Sequence, residues 1–270
     1  MLDGKTIGFI GGGNMAEAII KGLLAGGLPA ASILVAEPDA SRRTYLSGTY
    51  GVATFDENQD MVQRADIVVL AIKPQVAASV LTGLEPVISP DALIISIMAG
   101  ISTDFIEKTL VTGVRVVRVM PNTPALIQAA ASAICPGRKA TREDLEISRE
   151  IFSLVGSVAA VPEKLMDAVT GLSGSGPAYV FAFIEALADA GVKNGLPRDI
   201  AAQLAVQTVV GAARMAAETG EHPALLREKV TSPGGTTIAA LHTLEKGGFR
   251  GLIMDAVDSA CRRSKELAEK

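Results

Sequence analysis

Short apolar runs alternate with amphipathic stretches along the first part of the chain. The runs TIGFIG, ILVAE, DIVVLAIKP, ALIISIMAG and VRVVRVMP are rich in valine and isoleucine and have the length of buried strands. Helical patterns lie between them, such as MAEAIIKGLLAGG, which ends at glycine, and a polar helix from about Asp39. A further strand–helix–strand group extends to about residue 161. This alternation predicts βαβ units and a parallel sheet.

From about Pro162 the pattern is almost entirely helical. PAYVFAFIEALADAGVKNG has Pro177 near its first helical position and ends in glycine, and PRDIAAQLAVQTVVGAARMAAETG repeats the arrangement. Both segments are rich in alanine and apolar around most of their circumference, so they must be buried on several sides. We therefore predict an α/β fold with a parallel-sheet domain at 1–161, followed by an all-helical domain at 162–270 that packs against a second copy of itself.

Composition excludes several classes of function. The net charge is −4 and the 25 Lys and Arg residues are scattered, which does not suit a nucleic-acid partner. The two cysteines and two histidines have no metal-ligand or redox spacing, so we expect no metal and a reducing compartment. The N-terminus has no signal-peptide pattern, and the longest apolar run, ALIISIMAGI, is half a membrane span. These features predict a cytoplasmic protein without a membrane partner.

A glycine-rich loop follows the first predicted strand. GFIGGGNMA places Gly11, Gly13 and Ala16 in a G-x-G-x-x-A pattern that opens a helix, the context in which this pattern binds a dinucleotide. The first glycine makes the turn, the second lets the pyrophosphate approach the backbone, and the alanine permits close helix–strand packing. The sequence thus predicts a Rossmann-type domain. The residues expected at the pyrophosphate are Gly11, Gly12, Gly13, Asn14 and Met15.

The end of the second strand bears on the choice between NAD and NADP. Glu37 would accept a hydrogen bond from a ribose 2′-hydroxyl and repel a 2′-phosphate. Arg42 and Arg43 follow closely, and either guanidinium would pair with that phosphate. The local residues leave both cofactors open.

Two later strands end in loops that contain proline. In an open parallel sheet such ends line the ligand crevice. Ala71, Lys73 and Pro74 are therefore expected beside the cofactor ribose. Asn122 and Thr123 are expected near the nicotinamide.

A second glycine loop, VTSPGGTT at residues 230–237, precedes another helical pattern. The backbone N–H groups after Gly234 and Gly235, with the hydroxyls of Ser232 and Thr237, suit a carboxylate at a helix N-terminus. The motif contains no arginine, so neutral donors would hold the anion. Another segment, LSGSGPAY, also opens a helix with small residues. Its Ser175 is expected at the floor of the substrate pocket.

Five motifs in this order resemble the 1-pyrroline-5-carboxylate reductase family: IGFIGGGNMAEAI, AIKPQ, RVMPNTPALI, GLSGSGPAYVF and VTSPGGTTIAAL. The resemblance covers nearly the whole chain. It implies reduction of a cyclic imine to L-proline, the final step of proline synthesis. It also implies an interlocked homodimer through the helical domain, often in a ring of dimers. NADPH is the implied cofactor, with NADH as the alternative.

The resemblance also assigns roles in the second loop. Ser232 and the backbone of Thr236 and Thr237 would hold the substrate carboxylate, and Val230 would line the ring through its backbone. The Thr237 hydroxyl would face the ring nitrogen, and these residues would come from the partner chain. Because a protonated imine is already electrophilic, Thr237 is expected to orient the substrate as a donor and not to act as a general acid.

Two other functions are compatible with a dinucleotide domain followed by helices. A 3-hydroxyacid dehydrogenase needs a lysine on the helix between its domains as a proton shuttle. Here that helix carries no lysine before Lys193. A dinucleotide-sensing dimer without catalysis would leave the VTSPGGTT loop unexplained.

Overall fold

The structure, a computed structural model, describes residues 1–110 and 113–268. Its strands form one eight-stranded sheet. The strands are β1 (Ile7–Ile10), β2 (Ile33–Ala36), β3 (Ala53–Phe55), β4 (Ile67–Leu70), β5 (Leu93–Ser96), β6 (Arg115–Met120), β7 (Ala130–Pro136) and β8 (Gly156–Ala160). They lie in the order β3-β2-β1-β4-β5-β6-β7-β8. The order reverses beside β1, so the ends of β1 and β4 form a topological switch point, where open α/β sheets bind ligands.

The first six strands are parallel, as the alternating pattern predicts, and β7 is the exception. It runs antiparallel to β6, with Arg118 opposite Cys135, and then pairs in parallel with β8. Residues 121–129 join β6 to β7 and contain only a short 3₁₀ helix, Thr123–Ile127. A parallel crossover needs a dozen or more residues, so this short connection requires an antiparallel pair. The edge strand β3 is too short and too exposed to give a periodic signal.

Within residues 1–110 and 113–175, seven α-helices accompany the sheet. They are α1 (Asn14–Ala25), α2 (Ala40–Tyr50), α3 (Asn58–Val62), α4 (Ala77–Leu84), α5 (Thr103–Thr109), α6 (Arg142–Ser153) and α7 (Met166–Val169). Every residue of β1, β2, β4 and β5 is buried, which explains their continuous apolar runs. One apolar cluster joins α1 and α6 to the sheet, and another joins α3, α4 and α5. Because helices cover both faces, the carboxyl edge of the sheet is left to the loops.

Five helices follow in residues 176–268. They are α8 (Gly176–Lys193), α9 (Arg198–Thr219), α10 (Pro223–Lys229), α11 (Thr236–Lys246) and α12 (Phe249–Ala268). The α/β class, with a parallel-dominated sheet followed by a helical part, is confirmed.

The chain divides into two compact units. One, here called the sheet unit, comprises Met1–Ser175 and Ser259–Lys270. The other, here called the helical unit, comprises Gly176–Asp258. In the first unit the hydroxyl of Ser264 on α12 donates to Asp167 Oδ1 on α7 at 2.7 Å. This contact fastens the end of α12 to the sheet unit. The domain ranges 1–161 and 162–270 stay predictions.

The helical unit has almost no interior of its own. All of residues 176–258 are described, and just Ala188, Ala201 and Ala205 are buried. Large apolar side chains are exposed instead, with Phe181 at 63% and Leu252 at 63%. Among the described residues, α9 is the helix that by length and composition alone is apolar enough to cross a membrane. A helix that is apolar around its circumference also suits the interior of an assembly of subunits.

Candidate functional site

The loop after β1 begins with a turn that only glycine fits. Gly11 has φ of 93°, in the left-handed region. A Cβ at this position would lie 2.6 Å from the carbonyl oxygen of Ala71, at the end of β4. The loop therefore contacts the neighbouring strand end directly at the switch point.

The next two glycines serve different purposes. A Cβ on Gly12 would lie 2.7 Å from Leu46 Cδ1, so this position is packed against α2. A Cβ on Gly13 would meet no described atom within 4 Å. Gly13 faces open space, and an anion can approach its backbone closely.

The start of α1 offers free backbone donors beside Gly13. No side chain in the described part of the chain caps this helix. The N–H groups of Asn14, Met15 and Ala16 lack intrahelical acceptors because they lie in the first turn. Asn14 is exposed, Met15 is half-buried and Ala16 is fully buried against the sheet. The predicted pyrophosphate residues thus form a helix start of the kind that binds phosphate.

Glu37 follows β2 and is fastened to this loop. Its Oε2 accepts the N–H of Gly12 at 2.8 Å, and its Oε1 accepts the N–H of Asp39 at 3.0 Å. Each carboxylate oxygen keeps a further lone pair for a ribose hydroxyl. The acid therefore both shapes the loop and remains an acceptor.

Arg42 lies on the other side of Gly12 and is paired with Glu17 of α1. Its Nε donates to the Gly12 carbonyl oxygen at 2.5 Å, and its guanidinium forms an ion pair with the Glu17 carboxylate. Its Cζ also lies 5.0 Å from the centroid of the Tyr45 ring. These contacts hold the guanidinium against the glycine loop.

The Glu17 carboxylate is the shared hydrogen-bond acceptor of this cluster. The hydroxyls of Tyr45 and Tyr50 both donate to its Oε1, at 2.9 and 2.7 Å. Burial raises the pKa of the Glu17 carboxyl, but the hydrogen bonds from Tyr50, Arg42 and Tyr45 outweigh burial and leave the pKa below its usual value. The hydrogen bond between Tyr50 and Glu17 raises the pKa of Tyr50. Glu17 thus stays ionised and neutralises Arg42.

Arg43 and Ser41 complete the surroundings of the predicted ribose site. Arg43 donates to the carbonyl oxygens of Glu37 and Pro38 at 2.7 and 2.9 Å. The Ser41 hydroxyl donates to Asp39 Oδ1 at 2.7 Å. Both guanidiniums therefore already have partners within the chain.

The predicted residues after β4 lie at the same edge of the sheet. The N–H of Ala71 donates to the carbonyl oxygen of Ile10 at 2.9 Å, which extends the pairing of β4 with β1. Lys73 is exposed and precedes a short 3₁₀ helix that starts at Pro74. Ala71 thus borders Gly11 directly, whereas Lys73 extends into solvent.

Asn122, which follows β6, forms hydrogen bonds within the chain. It is 8% exposed, and its carboxamide bonds to main-chain groups of Ser173 and Ala131. Ser173 belongs to a π-helical turn, Thr170–Gly174, and Ser175 follows it, half-buried. Thr123 is exposed at the start of the 3₁₀ helix. The cofactor contact predicted for Asn122 stays a prediction.

The VTSPGGTT loop lies in the helical unit and leads into α11. Gly234 has φ of 66°, and the N–H of Gly235 donates to the Ser232 carbonyl oxygen at 3.1 Å. A Cβ on Gly235 would overlap the Ser232 hydroxyl oxygen, so a side chain there would require the hydroxyl to rotate away. Helix α11 begins at Thr236, and no described side chain caps it. Its first-turn N–H groups, including that of Thr237, are free for an anion.

The loop borders a cleft in the helical unit of about 970 Å³, lined by residues that include Gly234, Gly235, Ile238 and His242. Val230 and Ser232 are exposed, and Thr237 is half-buried. The loop therefore presents its donors on an accessible surface. Within the described ranges, no group of three or more His, Cys, Asp or Glu residues is arranged to hold a metal ion.

A cluster of polar side chains surrounds Arg118 of β6, and the sequence did not predict it. Arg118 is 5% exposed and lies 3.5 Å from Glu163 Oε1, and Glu163 also accepts the N–H and hydroxyl of Thr103 at 2.7 and 2.6 Å. Burial and the charge of Glu163 raise the pKa of the neighbouring Cys135 to about 12. The sequence signal was an arginine inside the apolar run RVVRVM. This cluster ties the segment after Pro162 to the sheet.

Two family models match the chain. The family described as pyrroline-5-carboxylate reductase dimerisation matches residues 163–267, and the family described as NADP oxidoreductase, coenzyme F420-dependent, matches residues 6–100. The second match includes the glycine loop after β1. The matches thus correspond to the two kinds of architecture in the chain.

Several full-length relatives and several solved structures have the same family name. The pyrroline-5-carboxylate reductase of Synechocystis sp. is 50% identical over 265 residues, which are 98% of each chain. A solved pyrroline-5-carboxylate reductase from Coxiella burnetii has a TM-score of 0.93 at 40% identity and covers 98% of this chain and 99% of its own. The Plasmodium falciparum pyrroline carboxylate reductase, solved with NADP bound, has a TM-score of 0.89 at 33% identity, with coverage of 98% and 99%. The chain belongs to the pyrroline-5-carboxylate reductase family.

Proposed function

We propose that this chain reduces 1-pyrroline-5-carboxylate to L-proline, the last step of proline biosynthesis, with NADPH as the preferred reductant. The observation that carries the proposal is the uncapped start of α11 after the VTSPGGTT loop. It offers neutral donors to a small anion, in addition to the separate donor set at the start of α1. Two anion sites are what a dinucleotide and a carboxylate substrate require.

The substrate carboxylate is assigned to the second loop. The Ser232 hydroxyl and the N–H groups of Thr236 and Thr237 hold it, while Gly234 and Gly235 keep the turn open. Val230 lines the ring through its backbone, and Ser175 lies at the pocket floor. Neutral donors at a helix start bind a carboxylate without an ion pair. They leave the positive charge of the protonated imine unopposed, which keeps its carbon electrophilic.

The Thr237 hydroxyl is assigned to the ring nitrogen. When bound, the reduced nicotinamide supplies a hydride, which forms the new C–H bond at the imine carbon while the C=N π electrons pass to nitrogen. The protein then only has to orient the ring, since the iminium needs no further proton to accept the hydride. Thr237 orients the nitrogen as its charge falls and is not a general acid. Helix α8 has its one lysine, Lys193, at its last turn, so it offers no lysine for alcohol chemistry.

The cofactor is assigned to the carboxyl edge of the sheet. The fit rests on Gly11 and Gly13: the first makes a turn that a Cβ would fill, and the second faces open space. The preference for NADPH is supported by Arg42 and Arg43 beside Gly12 and Glu37, and by the NADP bound to the Plasmodium falciparum relative. Glu37 favours NADH, but we expect the arginines to outweigh it, so that NADH is used less efficiently than NADPH.

A homodimer through the helical unit is part of the proposal, and a ring of such dimers would extend it. It is supported by the exposed Phe181 and Leu252 and by the match to a dimerisation family. In the dimer the VTSPGGTT loop of one chain would serve the cofactor domain of the other. We propose the cytoplasm as the compartment.

The test is oxidation of NADPH and of NADH, measured in parallel with and without the imine. Imine-dependent oxidation is expected, with the higher kcat/KM for NADPH. Thr237→Ala is expected to lower kcat/KM for the imine by roughly 10- to 100-fold, the effect of one hydrogen bond to a charged group, and Thr237→Ser to retain most of it. Absence of imine-dependent oxidation with either cofactor would refute the reaction. Unchanged turnover in Thr237→Ala would refute the role of the Thr237 hydroxyl but not the proposed reaction.

A further inference from the structure

The π-helical turn Thr170–Gly174 is poorly held by apolar packing. It joins α7, whose first and last residues, Met166 and Val169, belong to one apolar cluster, to α8. Within the turn Gly171 is buried, whereas Leu172 is 67% exposed. Its position therefore depends on polar contacts. π-Helical turns are frequently found at functional sites.

The hydroxyls of Thr170 and Ser173 bond back to carbonyl oxygens of α7, and one side chain outside these segments adds a bond from the loop after β6. The Nδ2 of Asn122 donates to the carbonyl oxygen of Ser173 at 3.0 Å, and its Oδ1 accepts the N–H of Ala131 at 3.0 Å. Asn122 is 8% exposed, so both bonds are shielded from water. The carboxamide thus joins three segments: the loop after β6, the start of β7 and the π-helical turn.

A second contact fixes the same turn from the side of β6. A Cβ on Gly174 would lie 2.7 Å from Met120 Cε, so the absence of a side chain lets the turn seat against the end of the strand. Met120 and Asn122 flank Pro121 at the end of β6. The turn is therefore held by two neighbouring residues of one strand end.

We propose that Asn122 is a positioning residue for the reaction, which fixes the π-helical turn against the sheet so that Ser175 is correctly placed. The inference rests on the proposed function for the role of Ser175 as pocket floor. This role is separate from a cofactor contact, because the two bonds that Asn122 forms in the structure both go to main-chain groups.

Only a carboxamide satisfies both partners. Aspartate offers acceptors alone, so Asn122→Asp would place an oxygen against the Ser173 carbonyl oxygen while retaining the bond from Ala131. The turn would shift, whereas the bond to β7 would survive. Lowering the pH until the new carboxyl is protonated would restore a donor and part of the activity.

The test compares Asn122→Asp with Asn194→Asp. Asn194 also donates its side-chain amide to a carbonyl oxygen, that of Ala190 at 2.8 Å, but on an exposed helix end. We expect Asn122→Asp to lower kcat/KM for the imine by about 10- to 100-fold, the effect of a small misplacement of the substrate. The Kd for NADPH, measured by fluorescence without imine, should stay within about twofold of the wild-type value. The reason is that the two bonds formed by Asn122 do not involve the cofactor. Asn194→Asp should change neither quantity.

Hydrogen exchange gives a readout that needs no substrate. The amides of residues 170–176 should exchange faster in Asn122→Asp than in Asn194→Asp. Gly174→Ala, which unseats the turn from Met120 and leaves Asn122 intact, should reproduce both effects. The double variant should lose less than the product of the two single losses, because both act on one turn.

Three results would overturn the proposal. A rise in the NADPH Kd parallel to the loss of kcat/KM would make Asn122 a cofactor ligand. Unchanged exchange at 170–176 would show that the turn does not depend on it, and unchanged kcat/KM with a lower Tm would show a role in stability alone. If wild type and Asn194→Asp do not turn over the imine, the proposed function fails, and hydrogen exchange still decides whether Asn122 holds the turn.

Discussion

Replacing Gly11 with alanine should destabilise the sheet unit itself. Alanine in the left-handed region at φ of 93° costs about 1–2 kcal/mol. The new Cβ would lie 2.6 Å from the Ala71 carbonyl oxygen, a backbone atom at the end of β4. Moving such an atom costs about 1–3 kcal/mol by analogy with overpacked cores. The total is about 2–5 kcal/mol, and the Tm should fall by about 4–20 °C.

Gly13→Ala is the matched control for this substitution. Gly13 has φ of −69°, and its Cβ would meet no described atom within 4 Å. Its Tm should stay close to the wild-type value, because the loss of a glycine N-cap and the lower entropy of the unfolded chain offset each other to within about 1 kcal/mol. The new methyl group would instead occupy the space where the pyrophosphate approaches the backbone. The Kd for NADPH should therefore rise at least about tenfold.

Thermal unfolding of both variants at one protein concentration, together with NADPH titrations, checks this pair. Fixed concentration matters because association also raises the Tm. The reasoning is wrong if Gly11→Ala melts within a degree or so of the wild type. It is also wrong if Gly13→Ala binds NADPH as tightly as the wild type does.

Two further predictions concern ionisable groups. Glu17→Gln should destabilise the protein by about 1 kcal/mol at neutral pH, because it weakens the bonds to Arg42, Tyr45 and Tyr50. The pKa of Glu17 is lowered in the folded state, so its contribution is complete above the unfolded-state pKa of about 4.3 and is lost as the pH falls through the lowered folded pKa. Denaturation of both proteins across this acid range should show the two stabilities converging, and a constant difference would contradict the prediction. Cys135 should resist a thiol reagent at pH 8 in a Cys261→Ser variant, because burial raises its pKa to about 12, and labelling before unfolding would contradict this.

The parts of the fold that sequence could predict are those encoded locally. The Val- and Ile-rich runs predicted β1, β2, β4, β5 and β6, and the glycine after each helical pattern predicted helix ends such as that at Gly220, where φ is 64°. The antiparallel direction of β7 depends on the length of the loop before it, which hydrophobic periodicity does not report. Strand pairing is decided by connections as well as by patterns.

The same distinction applies to the candidate site. The glycines of both loops were predictable because backbone turns constrain the residues that make them. The pairing of Arg42 with Glu17 joins residues 25 positions apart, and the bond from Asn122 to Ser173 spans 51 positions. Such contacts leave no periodic trace in one sequence. Asn122 was therefore recognised as a residue of interest, but its partners were not.

The shortage of buried side chains in the helical unit has a consequence for how the protein matures. Among residues 176–258 just three alanines are buried, so the helical unit gains little stability from folding alone. In the proposed homodimer its folding should be a second-order process, limited by the encounter of two chains, while the sheet unit completes its strands in a first-order step. At low expression the helical unit would stay unassembled longest, with Phe181 and Leu252 exposed to solvent. The rate of synthesis, and not only the sequence, would set how much of the protein escapes aggregation and proteolysis before it assembles.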